Sequence, residues 1–307
     1  MKQPIDFVVP MVFPDDPKWQ DDFRLRNSGN ATEHVRWRSW GTEELTVRCV
    51  MRFMPWVRTI YILLARESQV QPWMKELSNG ANEAHGANEP TIRLCFHDKF
   101  IPKEYLPCFT SPTIEMFLHR IPGLAEQFVY ANDDMFVLSP LEEYDFFKDG
   151  KPCQSLREKA YPVRPNVFQR KCMKQQNLVG GKFGYHFTDR WLKNRHCFAP
   201  ILKSCCEAVW REFGQEISAG ISPVWRTEFS YNQYIYVLWQ HFTGNFIQET
   251  PTQTYAGKKV ATADLRATIL SANGVVCIND NAIEHDWQIR AKIAREAIMA
   301  KLMMIDD

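Results

Sequence analysis

The sequence predicts an α/β fold: a mostly parallel central sheet flanked by helices, with a helical second half. Three observations predict it. Short runs rich in β-branched and aromatic residues alternate with segments that are apolar at helical spacing through the first 140 residues. Beyond residue 185 the pattern becomes mainly amphipathic helix. Between them, the run QFVYAN ends on Asn132, Asp133 and Asp134, and polar groups at the carboxyl end of a central strand lie where open α/β sheets bind ligands.

The elements follow in order. Residues 5–13 (IDFVVPMVF) read as the first strand, and Pro14, Asp15, Asp16 and Pro17 as a turn. Residues 28–33 read as a loop. Residues 42–55 read as a helix, with Thr42 as N-cap and Leu45, Cys49 and Phe53 on one face. Arg48 and Arg52 on that helix face either solvent or an anionic ligand. Residues 56–64 (WVRTIYILL) read as a buried strand. Pro72 suits the first turn of a helix, 78–90 is a polar surface loop, and 91–96 is the third strand.

The central stretch, 106–138, opens on a proline turn. Ile114, Phe117, Leu118 and Ile121 then recur at helical spacing until Pro122 and Gly123 stop the helix. Glu115 and His119 are four apart and are expected to share a face, with Arg120 next to them. The fourth strand follows and ends on the two aspartates. Residues 151–184 are basic, and read equally as a loop over the site that contacts an anionic substrate or as a solvated insertion. Residues 199–216 form an amphipathic helix with Leu202, Val209 and Phe213 in the core. A second helix covers 228–242, its aromatics again core. A last strand, 272–278, ends on Asn279 and Asp280, and a helix covers 283–305.

Composition narrows the function classes. A net charge of +1 gives no global attraction to nucleic acid or to a membrane surface, so anion binding must come from local clusters. The nine cysteines are odd in number and scattered, without CxxC spacing. That pattern favours reduced, partly buried thiols in a cytosolic protein and does not point to zinc. No apolar run approaches the ~20 residues a bilayer requires, and MKQPIDFVVP carries no signal-peptide pattern. The expected location is cytoplasmic, and the inner face of a membrane is compatible with it.

Two readings compete at the strand end. Asp133 and Asp134 can hold a divalent cation on a diphosphate, or they can cap a tight Asx turn. His196 suits general acid–base work near neutral pH. Arg226 can clamp a phosphate with its planar fork.

Four blocks of the sequence resemble the Stealth family of sugar-phosphate transferases. IDFVVPMVFPDDPKW resembles the family's opening strand and turn, with Asp16, Pro17 and Trp19 in agreement and Met11, Phe13 and Pro14 departing. Residues 36–64 resemble its Arg-rich helix and Pro-Trp-Val-Arg strand entry. HDKFIPKEYLPCFTSPTIEMFLHRIPGLAEQFVYANDDMF resembles its core almost throughout. RHCFAP through VWRTEFSYNQ, then VVCINDN, resemble its later segments.

The resemblance implies one catalytic domain over 1–307. Its nucleotide-sugar-transferase-like α/β part is 1–150, and a helical part at 185–307 completes the site. Glu115, Asp134, His196 and Arg226 are the implied catalytic residues. Arg48, His119, Arg120 and Asn132 are candidates for binding substrate, and Asp133, Asp134 and Asp280 for holding Mg²⁺ or Mn²⁺. The implied reaction passes a sugar-1-phosphate from a nucleotide diphosphate sugar, most often a UDP-hexose, to a glycan hydroxyl in capsule or exopolysaccharide synthesis. The nucleotide-sugar donor and the glycan acceptor are the expected partners, and nucleic acid is not. Two rivals stand beside it: a metal-dependent glycosyltransferase that releases the nucleoside diphosphate, and an inactive glycan-binding relative.

Overall fold

A computed structural model describes residues 3–27, 37–80, 89–257, 259–280 and 286–304. The loop expected at 28–33, most of the one expected at 78–90, and the start and end of the helix expected at 283–305 lie outside the described residues. The chain runs β1 (Ile5–Pro10), α1 (Pro17–Arg26), α2 (Glu43–Phe53), β2 (Thr59–Leu64), α3 (Pro72–Gly80), β3 (Thr91–Phe96), α4 (Ser111–Met116), β4 (Gln127–Tyr130) and β5 (Met135–Val137). It continues through β6 (Phe147–Lys148), β7 (Lys151–Gln154), β8 (Leu156–Ala160), α5 (Val167–Lys182), β9 (Arg190–Asn194), β10 (Ala199–Leu202), α6 (Lys203–Gly220) and α7 (Tyr234–Phe242). It ends with β11 (Ile247–Gln248), β12 (Gln253–Tyr255), α8 (Thr262–Ser271), β13 (Val275–Cys277) and α9 (Trp287–Met303).

The main sheet has the order β10-β4-β1-β2-β3. β4, β1, β2 and β3 are mutually parallel, and β10 closes the β4 edge antiparallel, with Ala199 opposite Tyr130. Parallel strands covered on both faces read as continuous apolar runs, and all six residues of β2 are buried. Alternation along β1 divides the core. Phe7 and Val9 join the helices α2 and α9 on one face, while Val8 points to α4, α6 and α7 on the other. The edge strand β3 alternates instead, exposing Thr91 and Arg93.

A smaller sheet, β12-β13-β5, carries the late chain back to the middle of the fold. β13 runs antiparallel to β5 with Cys277 opposite Met135, and the Ile278 N–H donates to the Asp134 carbonyl at 2.8 Å. Asn279 is thereby delivered beside Asp134.

Four expectations need correction. The turn expected at 14–17 covers only Pro14 and Asp15: Asp16 caps α1 by accepting from the Lys18 N–H, and Pro17 sits in the first helical turn, where a missing N–H costs nothing. Residues 151–184 are not a loop. They supply β7, β8 and α5, whose start is fixed by a reciprocal capping pair, Asn166 and Gln169, and which buries Lys171, Gln175 and Gln176. Residues 199–202 are the edge strand β10, a place that tolerates Pro200. The central helix is short as well: Phe117 (φ −109°, ψ 8°) breaks it after Met116, and a 3₁₀ turn follows.

Candidate active site

A cavity of about 330 Å³ opens at the carboxyl ends of the parallel strands. Glu115, Asn132, Asp133, Asp134, His196, Arg226 and Asp280 all line it, drawn from segments far apart in the chain.

Each arrives by a local cause. Asp133 and Asp134 occupy the turn between β4 and β5, closed by the Met135 N–H donating to the Asn132 carbonyl at 3.2 Å. Glu115 comes from α4, capped by the Thr110 hydroxyl. Thr110 and Thr113 donate to the Ser222 carbonyl at 3.2 and 2.8 Å, which ties α4 to the segment carrying Arg226. Arg226 then donates from Nη2 to Ser111 Oγ at 2.9 Å. His196 precedes β10, and its carbonyl accepts from Gln253 at the start of β12.

Glu115 is 4% exposed, and both its oxygens are used. Oε1 accepts from the Tyr130 hydroxyl at 3.1 Å and Oε2 from the Gln233 N–H at 2.9 Å. The Tyr130 hydroxyl also lies 2.9 Å from Asn132 Oδ1. Burial, with the Glu115 charge adding to it, lifts the Tyr130 phenol well above its ordinary range.

Asp134 is the hub. Its Oδ2 lies 3.7 Å from His196 Nε2, accepts from Asn279 Nδ2 at 3.1 Å, and is 3.5 Å from Cys277 Sγ. Its Oδ1 is shut from solvent and has no hydrogen-bond partner among the described residues. Burial alone would push Asp134 up, but His196 first, then Asn279 and Cys277, hold its carboxyl below the ordinary value. Burial pulls His196 down, and Asp134 outweighs it with help from Glu115, so the imidazole is raised. Asp133 moves the other way: burial lifts it to about 7, reinforced by Asp134 and Glu43.

That electrostatic surplus bears on a cation. A carboxylate oxygen with no partner among the described residues, beside a second acid that burial and neighbouring acids lift to about 7, matches the donor chemistry of a hard divalent ion. Asp280 fits less well, because Arg38 takes both of its oxygens and the Trp40 indole donates to one at 2.9 Å. Donor atoms of Asp134, His196 and Cys277 lie within 4.8 Å of one another, a mixed O, N, S set. Burial raises the Cys277 thiol well above its usual range, with Asp134 adding to the effect, so it is a poor ligand for Mg²⁺.

Three expected substrate contacts fall elsewhere. Arg48 lies on the exposed side of α2, paired with Glu44 one turn away. The break at Phe117 separates His119 from Glu115: the histidine packs against Trp210, with ring centroids 6.0 Å apart. Arg120 is exposed, over the Phe117 ring. None of the three lines the cavity. In their place the walls hold Arg38, Glu43, Lys171 and Gln233, which the sequence did not single out. Lys171 was visible only as one of several cations in a basic stretch.

The arrangement pairs an imidazole with a carboxylate, and sets an arginine fork near buried acids. It can move a proton and hold an anion within one enclosure.

Residues 36–154 match the conserved region 2 of the Stealth proteins. The receptor polysaccharide phosphotransferase WefC of Streptococcus oralis is 38% identical over 284 residues, covering 80% of this chain and 81% of that protein. The capsular polysaccharide phosphotransferase LcbA of Aeromonas hydrophila is 31% identical over 241 residues, 73% of this chain and 61% of the relative. The chain thus spans about three fifths of the length of that relative. Among solved structures, mouse xyloside xylosyltransferase 1 resembles it at a TM-score of 0.43 and 11% identity, covering 91% of this chain and 99% of that one.

Proposed function

This chain belongs to the Stealth family, and we propose that it transfers a sugar-1-phosphate from a nucleotide diphosphate sugar to a glycan hydroxyl in capsule or exopolysaccharide synthesis. The observation that carries this reading is the convergence of Glu115, Asp134, His196 and Arg226 on one cavity. The donor we favour is a UDP-hexose or UDP-N-acetylhexosamine.

In the proposed step the acceptor oxygen attacks the β-phosphorus. An O–P bond forms, the bond from that phosphorus to the bridging oxygen breaks, and the nucleoside monophosphate leaves. The sugar's anomeric bond is untouched. The acceptor proton goes to His196. With Nε2 turned to Asp134, Nδ1 is the nitrogen left to receive it, and Asp134 stabilises the imidazolium that results. Glu115 has both oxygens committed, so its role is to position: it fixes Tyr130 and the start of α7. Arg226, held by Ser111, binds phosphoryl oxygens through its fork.

The family implies Mg²⁺ or Mn²⁺. Asp133 and Asp134 would hold it, and when bound it supplies neutralisation of charge on the phosphoryl oxygens.

The test is product identity. The protein is incubated with nucleotide sugars, Mg²⁺ or Mn²⁺ and a glycan acceptor. Nucleoside monophosphate with a phosphodiester-linked product supports phosphotransfer. Nucleoside diphosphate means glycosyl transfer and overturns the reading. Among the described residues no helix is long and apolar enough to cross a membrane, so the assay begins without detergent.

A further inference from the structure

The cavity has two ends of different chemistry. Acids and cations gather at the end of β4. The other end lies where β1, β2 and β3 finish, and is walled by Met11, Val12, Trp19, Ala65, His97 and Cys108. Two polar side chains lie there: Gln69, which donates to the Phe13 carbonyl at 3.2 Å, and His97. His97 is 4% exposed, and neither ring nitrogen has a hydrogen-bond partner among the described residues.

Buried polar atoms are nearly always paired, and each exception asks for a reason. A histidine serving only as packing would be expected to have satisfied at least one nitrogen. Here the ring meets the edge of Phe100, with centroids 5.9 Å apart, and the residue is part of the cavity lining. Burial drops its pKa to about 4, against the pull of Asp98 and with the push of Arg66, so the ring is neutral at pH 7. A neutral imidazole presents one donor and one acceptor.

Distance fits a nucleotide. In the order β4-β1-β2-β3, three strand spacings separate the aspartates from His97. At ~4.8 Å per spacing that is about 14 Å, of the order of the reach of a nucleoside diphosphate from terminal phosphate to base. We propose that the donor's nucleobase lies in the apolar end, at the close of β1, β2 and β3, and that His97 reads its hydrogen-bonding edge. This rests on the nucleotide-sugar reading above.

Binding measurements test it without turnover. The full chain, with Mg²⁺ present, is titrated calorimetrically with UDP, CDP, GDP and inorganic pyrophosphate. Wild-type protein should favour one nucleoside diphosphate over pyrophosphate by at least about tenfold. His97→Leu should lose about tenfold for that nucleotide and keep its pyrophosphate affinity. His97→Gln, which restores a donor and an acceptor, should recover part of the loss. The melting temperature of His97→Leu should hold or rise, because an unpartnered buried group has gone. Equal losses for nucleotide and pyrophosphate, no loss for either, or no preference in the wild type would overturn the proposal. A release assay that yields nucleoside diphosphate would sink phosphotransfer and leave base reading standing, since both reactions use the same donor.

Discussion

His196 Nε2, just ahead of the edge strand β10, lies 3.7 Å from Asp134 Oδ2 at the end of β4. The antiparallel pairing of β10 on β4 makes that approach. An imidazole so placed is raised in pKa while the carboxylate is lowered, and each partner depends on the other for its charge state. His196→Ala and Asp134→Asn should each lower the rate of nucleoside monophosphate release by roughly 10²–10⁴. The double variant should be little worse than the more damaging single one, as for residues acting as a unit. Rate losses that multiply would separate the two roles.

Glu115 has two donors and two oxygens, a closed account of hydrogen bonds. Glu115→Gln turns one oxygen into an NH₂ that faces a donor. Leaving buried groups unpaired costs about 1–3 kcal/mol, to be read as a lower midpoint in urea unfolding. Adding Tyr130→Phe removes one of the two donors, and should recover part of the loss. Glu115→Gln with unchanged rate and unchanged midpoint would take the residue out of both mechanism and scaffold.

Much of the fold could be read from local pattern. Continuous apolar runs gave β2 and β4, and the face of Leu45, Cys49 and Phe53 gave α2. Pattern failed where local chemistry has two uses. An Asp before a Pro serves a turn or a helix cap, and Asp16 serves the cap. The spacing of Glu115 and His119 assumes an unbroken helix, and Phe117 breaks it. Of the residues that line the cavity, Asp133 and Asp134 were legible from the strand end, and Glu115, His196 and Arg226 from the resemblance. Arg38 and Lys171 were not. A cation packed into a wall is indistinguishable in sequence from a solvated one, since only tertiary packing separates them.

Among the described residues Arg226 donates one hydrogen bond, to Ser111 Oγ at 2.9 Å. Lysine keeps the charge but not the planar pair of donors that phosphate accepts. Arg226→Lys should raise the KM for the nucleotide-sugar donor by about tenfold, the loss of one charge-assisted contact. Ser111→Ala should act in the same direction and more weakly, because it frees the fork without removing it. Donor-dependence curves at saturating acceptor measure both. A KM for acceptor that rises in place of the donor's would reassign Arg226 to the glycan.

Two histidines, His97 and His119, cost stability as pH falls, while Asp133, lifted to about 7, and the raised His196 add to it. His97 has an ordinary value of 6.5 and a folded value of about 4, burial being the main cause. The unfolded chain therefore binds the proton first, and the contribution of His97 to stability falls as pH drops from 6.5 toward 4. The shift corresponds to a loss on the order of 3 kcal/mol across that window. His119 is lowered to about 4 as well, by burial and then by Arg120 and Lys203, and adds a loss of the same sign. Unfolding midpoints are measured from pH 7 to 4.5 in the wild type and the variants, and the histidine contribution is the difference between their slopes. His97→Leu should gain stability relative to the wild type as pH falls, and His119→Leu should add to that gain when combined. Slopes of the variants that equal the wild-type slope would mean that both rings titrate in the folded protein as they do in water.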